Sequence, residues 1–126
     1  MKVLQIIDSA YRCTIEEQDD PAVWITHAMK GAGADLDVLL CGNAVNYAVK
    51  GQDASGLRFG EIVQKNPPKL DNDIARLIGK NINVMVYTED TAARGITEAQ
   101  TLPGVRRVSR AEAPTIFSRY DQVWHW

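Results

Sequence analysis

The residues with the clearest potential for chemistry follow the second apolar run of the sequence, in LLCGNAVNYAV, residues 39–49. Cys41 stands where the apolar run stops, and Asn43 begins a helix-like segment. A helix start stabilises anions, so a thiolate just ahead of it can have a lowered pKa, and Gly42 would let a substrate approach the backbone. The alternative is packing at a strand end, since free cysteine is among the most buried residue types.

Polar residues also follow the first and third apolar runs. Asp8 and Ser9 end the first run, and the third ends in the stretch YTED, which contributes Tyr87, Thr88, Glu89 and Asp90. Glu89 and Asp90 could be paired carboxylates for acid–base work, although adjacent residues usually point apart and a helix cap is the alternative. Arg94 and Gly95 could bind an anion, or form a solvated arginine before a turn glycine. Cys13 lies beside Arg12 in a polar loop, residues 9–18, where no group is predicted to orient it.

Strand and helix patterns alternate along the chain and predict one parallel sheet with helices on both faces. Contiguous apolar residues at 38–40 are typical of a strand that is covered on both sides. The first helix has Asp19 or Asp20 as its cap and Pro21 in its first turn, and its inner face is predicted to contain Val23, Trp24, Ala28 and Met29. Strands are predicted at 3–7, 35–41, 82–88, 105–109 and 121–126, and helices at 19–34, 43–50, 70–81 and 111–120, with a loop that contains a short helix at 89–102. In such a sheet ligands bind at the carboxyl ends of the strands.

Composition and charge exclude several classes of function. The 126 residues predict one domain, 1–126, and 14 basic against 16 acidic residues provide no basic field for nucleic acid. No apolar run approaches the roughly 20 residues that span a bilayer. The start, MKVLQIID, has no leader pattern, so we expect a cytoplasmic protein. Two cysteines and two histidines give no convincing metal site, and no phosphate loop indicates a cofactor.

Several stretches together resemble the DsrE/DsrF/TusD-like family. They are the first strand with its polar end, DVLLCGNAV, INVMVYTEDTAARGIT and the closing DQVWHW. The resemblance implies a three-layer α/β/α fold with a five-stranded, mostly parallel sheet. It also implies trimers or hexamers, and in active members a persulfide relay to partner proteins on a cysteine at the end of the third strand.

This sequence departs from the family at that cysteine. Seven residues before Arg94 and eight before Gly95 the chain has Tyr87, followed by Thr88, and neither side chain can carry a persulfide. Cys41 belongs to another strand, so the relay role cannot simply be transferred to it. We therefore expect Cys41 to pack at the rim of a site.

Three hypotheses follow from these observations. The first is a degenerate, non-enzymatic DsrE-like protein that binds a small anionic ligand or a protein partner at the carboxyl ends of the strands. The second is an active sulfur carrier or sulfurtransferase that uses Cys41, and the third is a nucleotide or flavin binding module.

The last three residues predict how the chain end is held. Alternation places Trp124 and Trp126 on one face of a terminal strand and His125 on the other. Aromatic side chains are favoured in interfaces, so a neighbouring subunit or a helix of the same chain must cover that face. With the family resemblance, this predicts a homo-oligomer, a trimer or a multiple of three, with Trp126 as an interface candidate.

Overall fold

A computed structural model, which describes residues 1–12, 16 and 19–126, confirms the predicted α/β/α architecture. Five parallel strands form one sheet. Cys13 and much of the polar loop around it lie outside the described residues. In the described part of the chain, none of the helices has the length and apolarity that crossing a bilayer requires.

The elements follow the predicted order, with one hairpin added. In chain order they are β1 (Lys2–Ile7), α1 (Pro21–Gly31), β2 (Asp35–Leu40), a 3-10 helix (Gly42–Ala48), β3 (Arg58–Phe59), β4 (Ile62–Val63), α2 (Leu70–Gly79), β5 (Val84–Tyr87), α3 (Thr88–Ala93), a 3-10 helix (Glu98–Gln100), β6 (Arg106–Val108), a 3-10 helix (Arg110–Glu112), α4 (Ala113–Phe117) and β7 (Gln122–His125).

The strand order of the sheet is β6-β5-β2-β1-β7. From β1 the chain steps three times in one direction, to β2, β5 and β6, and then returns past β1 to β7. Because parallel crossovers are right-handed, this reversal places α4 on the face opposite α1 and α2. The strand pairing aligns Ile7 with Leu40, Leu40 with Val86, and Tyr87 with Val108. The carboxyl ends of the strands therefore meet at one edge.

Two apolar layers lie on the two faces of the sheet. The larger layer joins one face to α1, α2 and the first 3-10 helix through residues such as Leu36, Ile74 and Val45. The smaller layer joins the other face to α4 through Leu39, Met85, Ile116 and their neighbours. Strand residues therefore alternate between two buried layers, which explains the contiguous apolar runs.

Helix α1 begins as predicted, and Val23 and Met29 contact the core as predicted, but the rest of its inner face differs. Asp20 caps it by accepting hydrogen bonds from the backbone N–H groups of Ala22, at 2.8 Å, and Val23, at 3.4 Å. The buried residues are Ala22, Val23 and Thr26. The prediction for Trp24 and Ala28 was wrong, since both are exposed. Thr26 takes the inward position because its hydroxyl accepts from Gln5 Nε2 at 2.6 Å and donates to the Ala22 carbonyl at 2.7 Å.

The segment that follows the first 3-10 helix carries structure that the sequence did not predict. The backbone N–H groups of Gly51 and Gln52 donate to Asp71 Oδ2, and β3 pairs with β4 in an antiparallel hairpin. The hairpin presents Phe59, Ile62 and Val63 to solvent, so it forms an exposed apolar surface.

The closing strand has the predicted alternation. Trp124 packs against the larger apolar layer, and Trp126 Nε1 donates to Gln5 Oε1 on the same face at 2.6 Å. His125 points to the other face, where its Nε2 lies 2.6 Å from Asp8 Oδ2. The indole group of Trp126 is therefore tied within its own chain, and 41% of that residue is exposed.

The fully buried Asp20 predicts a strong dependence of stability on its carboxylate. Besides capping α1 it accepts from the Tyr47 hydroxyl at 2.7 Å. We expect Asp20→Ala to lower the free energy of unfolding by about 2–4 kcal/mol, since both the cap and a buried hydroxyl lose their acceptor. Asp20→Asn, which keeps an acceptor oxygen, should cost less. Urea unfolding followed by circular dichroism tests this, with Asp35→Asn on the surface as control. Equal stabilities of the Ala and Asn variants would contradict the proposed role.

Candidate functional site

The carboxyl ends of the five strands form a polar margin, which we call the carboxyl edge. It consists of Asp8, Ser9, Cys41, Gly42, Asn43, Tyr87, Thr88, Glu89, Asp90, Ser109, Arg110 and His125. Each of these residues is the last residue of one of the aligned strands or lies within three residues after its end.

Asp90 is the most connected residue of the carboxyl edge. It lies in the first turn of α3 and is 5% exposed. Its Oδ2 accepts from the backbone N–H of Gly42 at 2.7 Å, and its Oδ1 is paired with Arg110 Nη2. The guanidinium of Arg110 also lies over the Tyr87 ring, 5.3 Å from its centre. One carboxylate thus joins the ends of β2 and β6 to α3.

Gly42 has a backbone conformation that few other residues adopt. Its φ is +54°, and a Cβ atom added there would lie 3.3 Å from the Asp8 carbonyl oxygen. Glycine is therefore required for the turn that points the N–H of Gly42 at Asp90. The sequence predicts that Gly42 lets a substrate approach the backbone, whereas in the structure its N–H already donates to the Asp90 carboxylate.

Cys41 is half-buried at the rim of the smaller apolar layer. Its backbone N–H donates to the Ile7 carbonyl at 3.0 Å, which continues the pairing of β1 and β2. Burial raises the pKa of its thiol to about 11, and the negative charges of Asp8 and Asp90 act in the same direction. At neutral pH the sulfur is therefore a protonated thiol, which is a poor nucleophile.

Glu89 and Asp90 point apart, as adjacent residues are expected to do. Glu89 accepts from Ser109 Oγ at 2.8 Å and from the backbone N–H of Arg110 at 3.0 Å. The pKa of Glu89 is lowered by hydrogen bonds, first from its own backbone and then from Ser109. Both carboxylates therefore hold the start of α3 against the end of β6, and neither is placed as a free proton acceptor.

Asn43 and Arg94 are brought together from segments that are far apart in sequence. Asn43 Oδ1 accepts from Arg94 Nη2 at 2.7 Å and from Nε at 3.2 Å, and Arg94 Nη1 donates to the Asp90 carbonyl at 3.1 Å. Gly95 instead lies just after α3, and its N–H donates to the Ala92 carbonyl at 3.1 Å. The loop that contains Arg94 therefore adjoins Asn43.

The remaining predicted residues lie on the two sides of Cys41, after β1 and at the end of β5. The hydrogen bond from His125 lowers the pKa of Asp8, and Ser9 Oγ donates to Asp8 Oδ1 at 3.2 Å. Thr88 Oγ1 reaches the Val108 carbonyl at 3.4 Å. Burial raises the pKa of the Tyr87 hydroxyl, and the charge of the neighbouring Cys41 adds to this effect.

Sequence reasoning missed Ser109, Arg110 and the contact between His125 and Asp8. Ser109 and Arg110 follow the short strand β6, and applying the strand-end rule to it would have indicated them. The pairing of His125 with Asp8 joins positions 117 residues apart, and no local pattern marks it. In the described ranges, no three histidine, cysteine or acidic side chains are grouped so that they could hold a metal ion.

Comparison with known proteins supports the fold. No family model matches the sequence, and no curated protein matches it. Among solved structures, the ychN protein from E. coli has a TM-score of 0.76 and 19% sequence identity, covering 99% of this chain and 98% of that chain. The protein of unknown function MTH1491 from Methanobacterium thermoautotrophicum has a TM-score of 0.62 and 13% identity, covering 98% and 97%. The chain thus shares its whole fold with both.

The environment of Cys41 predicts its reactivity. In a Cys13→Ser variant, where Cys41 is the one remaining cysteine, we expect iodoacetamide to react about 100-fold more slowly in the folded than in the unfolded protein. The ratio follows from a thiol pKa of about 11 in place of 9.0. Mass spectrometry after a short alkylation pulse at pH 8, with and without urea, measures it.

Removing a neighbouring negative charge should speed this reaction. Asp8→Asn lowers the pKa of the Cys41 thiol and raises its alkylation rate, whereas Asp35→Asn, at the opposite edge, leaves the rate unchanged. Rapid alkylation of Cys41 in the folded Cys13→Ser protein, at a rate that Asp8→Asn does not change, would contradict a protonated and packed thiol.

Proposed function

We propose that this chain is a DsrE-like protein without the relay cysteine, a non-enzymatic relative of intracellular sulfur-relay proteins in the cytoplasm. It binds a small anionic ligand or a protein partner at the carboxyl edge. Two observations together carry the proposal. Cys41 is half-buried and protonated, and the end of β5 has Tyr87 and Thr88 in place of a cysteine. The three-layer fold agrees with the architecture of that family.

Charge at the carboxyl edge supports binding in place of catalysis. The carboxylates of Glu89 and Asp90 are engaged in hydrogen bonds inside the fold. Arg110, with 60% of its side chain exposed, and the exposed Arg94 each use only part of their guanidinium groups for those contacts. Arginine offers several donors in a fixed plane, so the free donors of both residues suit an anionic group on a ligand or partner.

Binding of a small anion provides the first test, with thiosulfate and sulfate as probes. We expect backbone amide signals at 42–43, 94 and 110 to shift in NMR titrations. Arg110→Gln or Arg94→Gln should weaken binding about tenfold, the loss of one charge-assisted hydrogen bond. Arg119→Gln, an exposed arginine after α4, is the matched control. Equal weakening by all three variants would indicate general charge attraction and contradict the proposed site.

A sulfur-transfer test separates this proposal from an active carrier. After incubation with a low-molecular-weight persulfide, we expect no gain of one sulfur atom on Cys41 in the Cys13→Ser variant. A stable persulfide on Cys41 whose outer sulfur can be transferred to a second thiol would contradict the non-enzymatic function and support a carrier function. A coloured preparation or a copurifying nucleotide would instead establish the cofactor-binding hypothesis.

The same proposal includes a homo-oligomer, a trimer or a hexamer. The exposed apolar residues of the hairpin support it, since Phe59 is 59% and Ile62 is 72% exposed, and apolar patches of this kind are common in interfaces. Size exclusion with light scattering should give a multiple of three times the chain mass of 14.0 kDa. Ile62→Glu should lower that mass, while Asp53→Glu on the preceding loop should not. A mass of one chain for the parent protein would contradict the oligomer.

A further inference from the structure

The carboxyl group of Asp73, in the first turn of α2, is buried without a matching donor. Its side chain is 8% exposed, and among the described residues its Oδ2 has no hydrogen-bond donor. The nearest cation is Arg76, whose Nη1 lies 4.0 Å from the other oxygen, Oδ1. Burying an ionised oxygen without a donor is costly, so the carboxyl group must be stabilised in another way.

The group that adjoins Asp73 is a second carboxyl, that of Asp19. Both carboxyl groups line the same cavity, and Asp19 is close enough to raise the pKa of Asp73, yet two ionised carboxylates are both acceptors and repel each other. The contact becomes a hydrogen bond only when one of them carries a proton. Asp73 Oδ2 has almost no accessible surface, so water does not solvate it, and a proton on the carboxyl group removes the cost of burying its charge.

We propose that Asp19 and Asp73 share one proton in the folded protein, and that this proton fastens the segment before α1 to the start of α2. Loss of the proton with rising pH opens the contact. Both residues line a cavity of about 340 Å³, together with Asn72 and Arg76, so deprotonation also adds a negative charge to the wall of that cavity.

The surrounding charges agree with a shared proton. Burial, followed by the contact with Asp19, raises the pKa of Asp73 to about 7. The positive charge of Arg76 opposes this shift, and the negative charge of Asp71 adds to it. From the side of α1, His27 Nε2 donates to the backbone carbonyl of Asp73 at 3.0 Å. The other charged groups nearby in the described residues are Lys69, at the start of α2, Lys80, which contacts His27 Nδ1, and Asp20.

The contact lies next to a structural anchor of the fold. Asp20, the neighbour of Asp19, caps α1 and accepts from the Tyr47 hydroxyl, with Arg12 Nε at 3.5 Å from the same carboxylate. A proton on the Asp19–Asp73 pair thus acts on the segment that carries this anchor.

The dependence on pH has a definite sign. The pKa of Asp73 is raised from 3.8 to about 7, so the folded state binds the proton more tightly than the unfolded state. The stabilisation is complete below the unfolded value and is lost as the pH rises towards the folded value. The protein should therefore lose stability between pH 4 and 7 through this pair, in addition to the effects of other groups.

Carbon-13 NMR of the aspartate carboxyl groups tests the proposal directly on the full chain. One carboxyl signal, assigned to Asp73, should titrate near pH 7, and in Asp19→Asn its midpoint should move by more than one unit towards acid. Titration of all aspartates below pH 5 would overturn the proposal, as would a midpoint unaffected by Asp19→Asn. If the carboxyl signals of both Asp19 and Asp73 shifted on adding calcium or magnesium chloride at neutral pH, the pair would hold a metal ion and not a proton, which would also overturn the proposal.

Melting temperatures provide a second measurement. In Asp73→Asn the amide can donate to Asp19 at every pH, so the fall in melting temperature from pH 5 to pH 8 should be smaller than in the parent. Asp73→Ala should be less stable than Asp73→Asn at pH 8, because it removes the donor. Asp35→Asn, on the surface, should keep the parental pH profile. Identical profiles for the parent and Asp73→Asn would contradict the shared proton.

Discussion

The buried carboxylate of Asp90 is the constraint on which the carboxyl edge depends. A charge that is removed from water must be paired and hydrogen-bonded, since breaking such a pair costs several kcal/mol. Asp90 obtains its partners from two turns, the N–H of Gly42 after β2 and the guanidinium of Arg110 after β6. Each partner is itself constrained, Gly42 by its positive φ and Arg110 by its position over Tyr87. The ends of these strands are therefore fixed relative to α3 by one group.

This arrangement decides the chemistry that Cys41 can perform. A persulfide carrier needs a stabilised thiolate, which requires positive charge or hydrogen-bond donors around the sulfur. Asp90 and Asp8 supply negative charge instead, and Arg110, the cation that counteracts them, is paired with Asp90. Burial is the main cause of the raised thiol pKa, and these negative charges add to it, so the thiol stays protonated. The Asp90 carboxylate that holds the carboxyl edge together therefore disfavours the Cys41 thiolate that a carrier would need.

The sequence predicted the sheet because its strongest signals are local. Contiguous apolar residues identified β2, and Asp20 with Pro21 identified the start of α1. On the inward face of α1, Val23 and Met29 were predicted correctly. Trp24 was predicted wrongly because hydrophobicity alone favours it, whereas Thr26 is buried through a hydrogen bond to Gln5, 21 residues away. The carboxyl edge was predicted in part. Asp8, Cys41 and Tyr87 follow clear strands, whereas Arg110 follows a strand of three residues and enters the site through long-range pairing with Asp90.

The buried aspartates show how one residue type is accommodated in different ways. Asp20 receives backbone N–H groups and the Tyr47 hydroxyl, Asp37 receives the Asn83 N–H and the Tyr120 hydroxyl, and Asp90 receives Gly42 and Arg110. Asp73 instead has the carboxyl group of Asp19 as its neighbour, so the charge of Asp73 depends on whether the proposed proton is bound. Asp19 is bonded in sequence to Asp20, Asp20 holds Tyr47 in the first 3-10 helix, and that helix begins at Gly42. Consecutive contacts therefore join the protonation site of Asp73 to the carboxylate that organises the carboxyl edge.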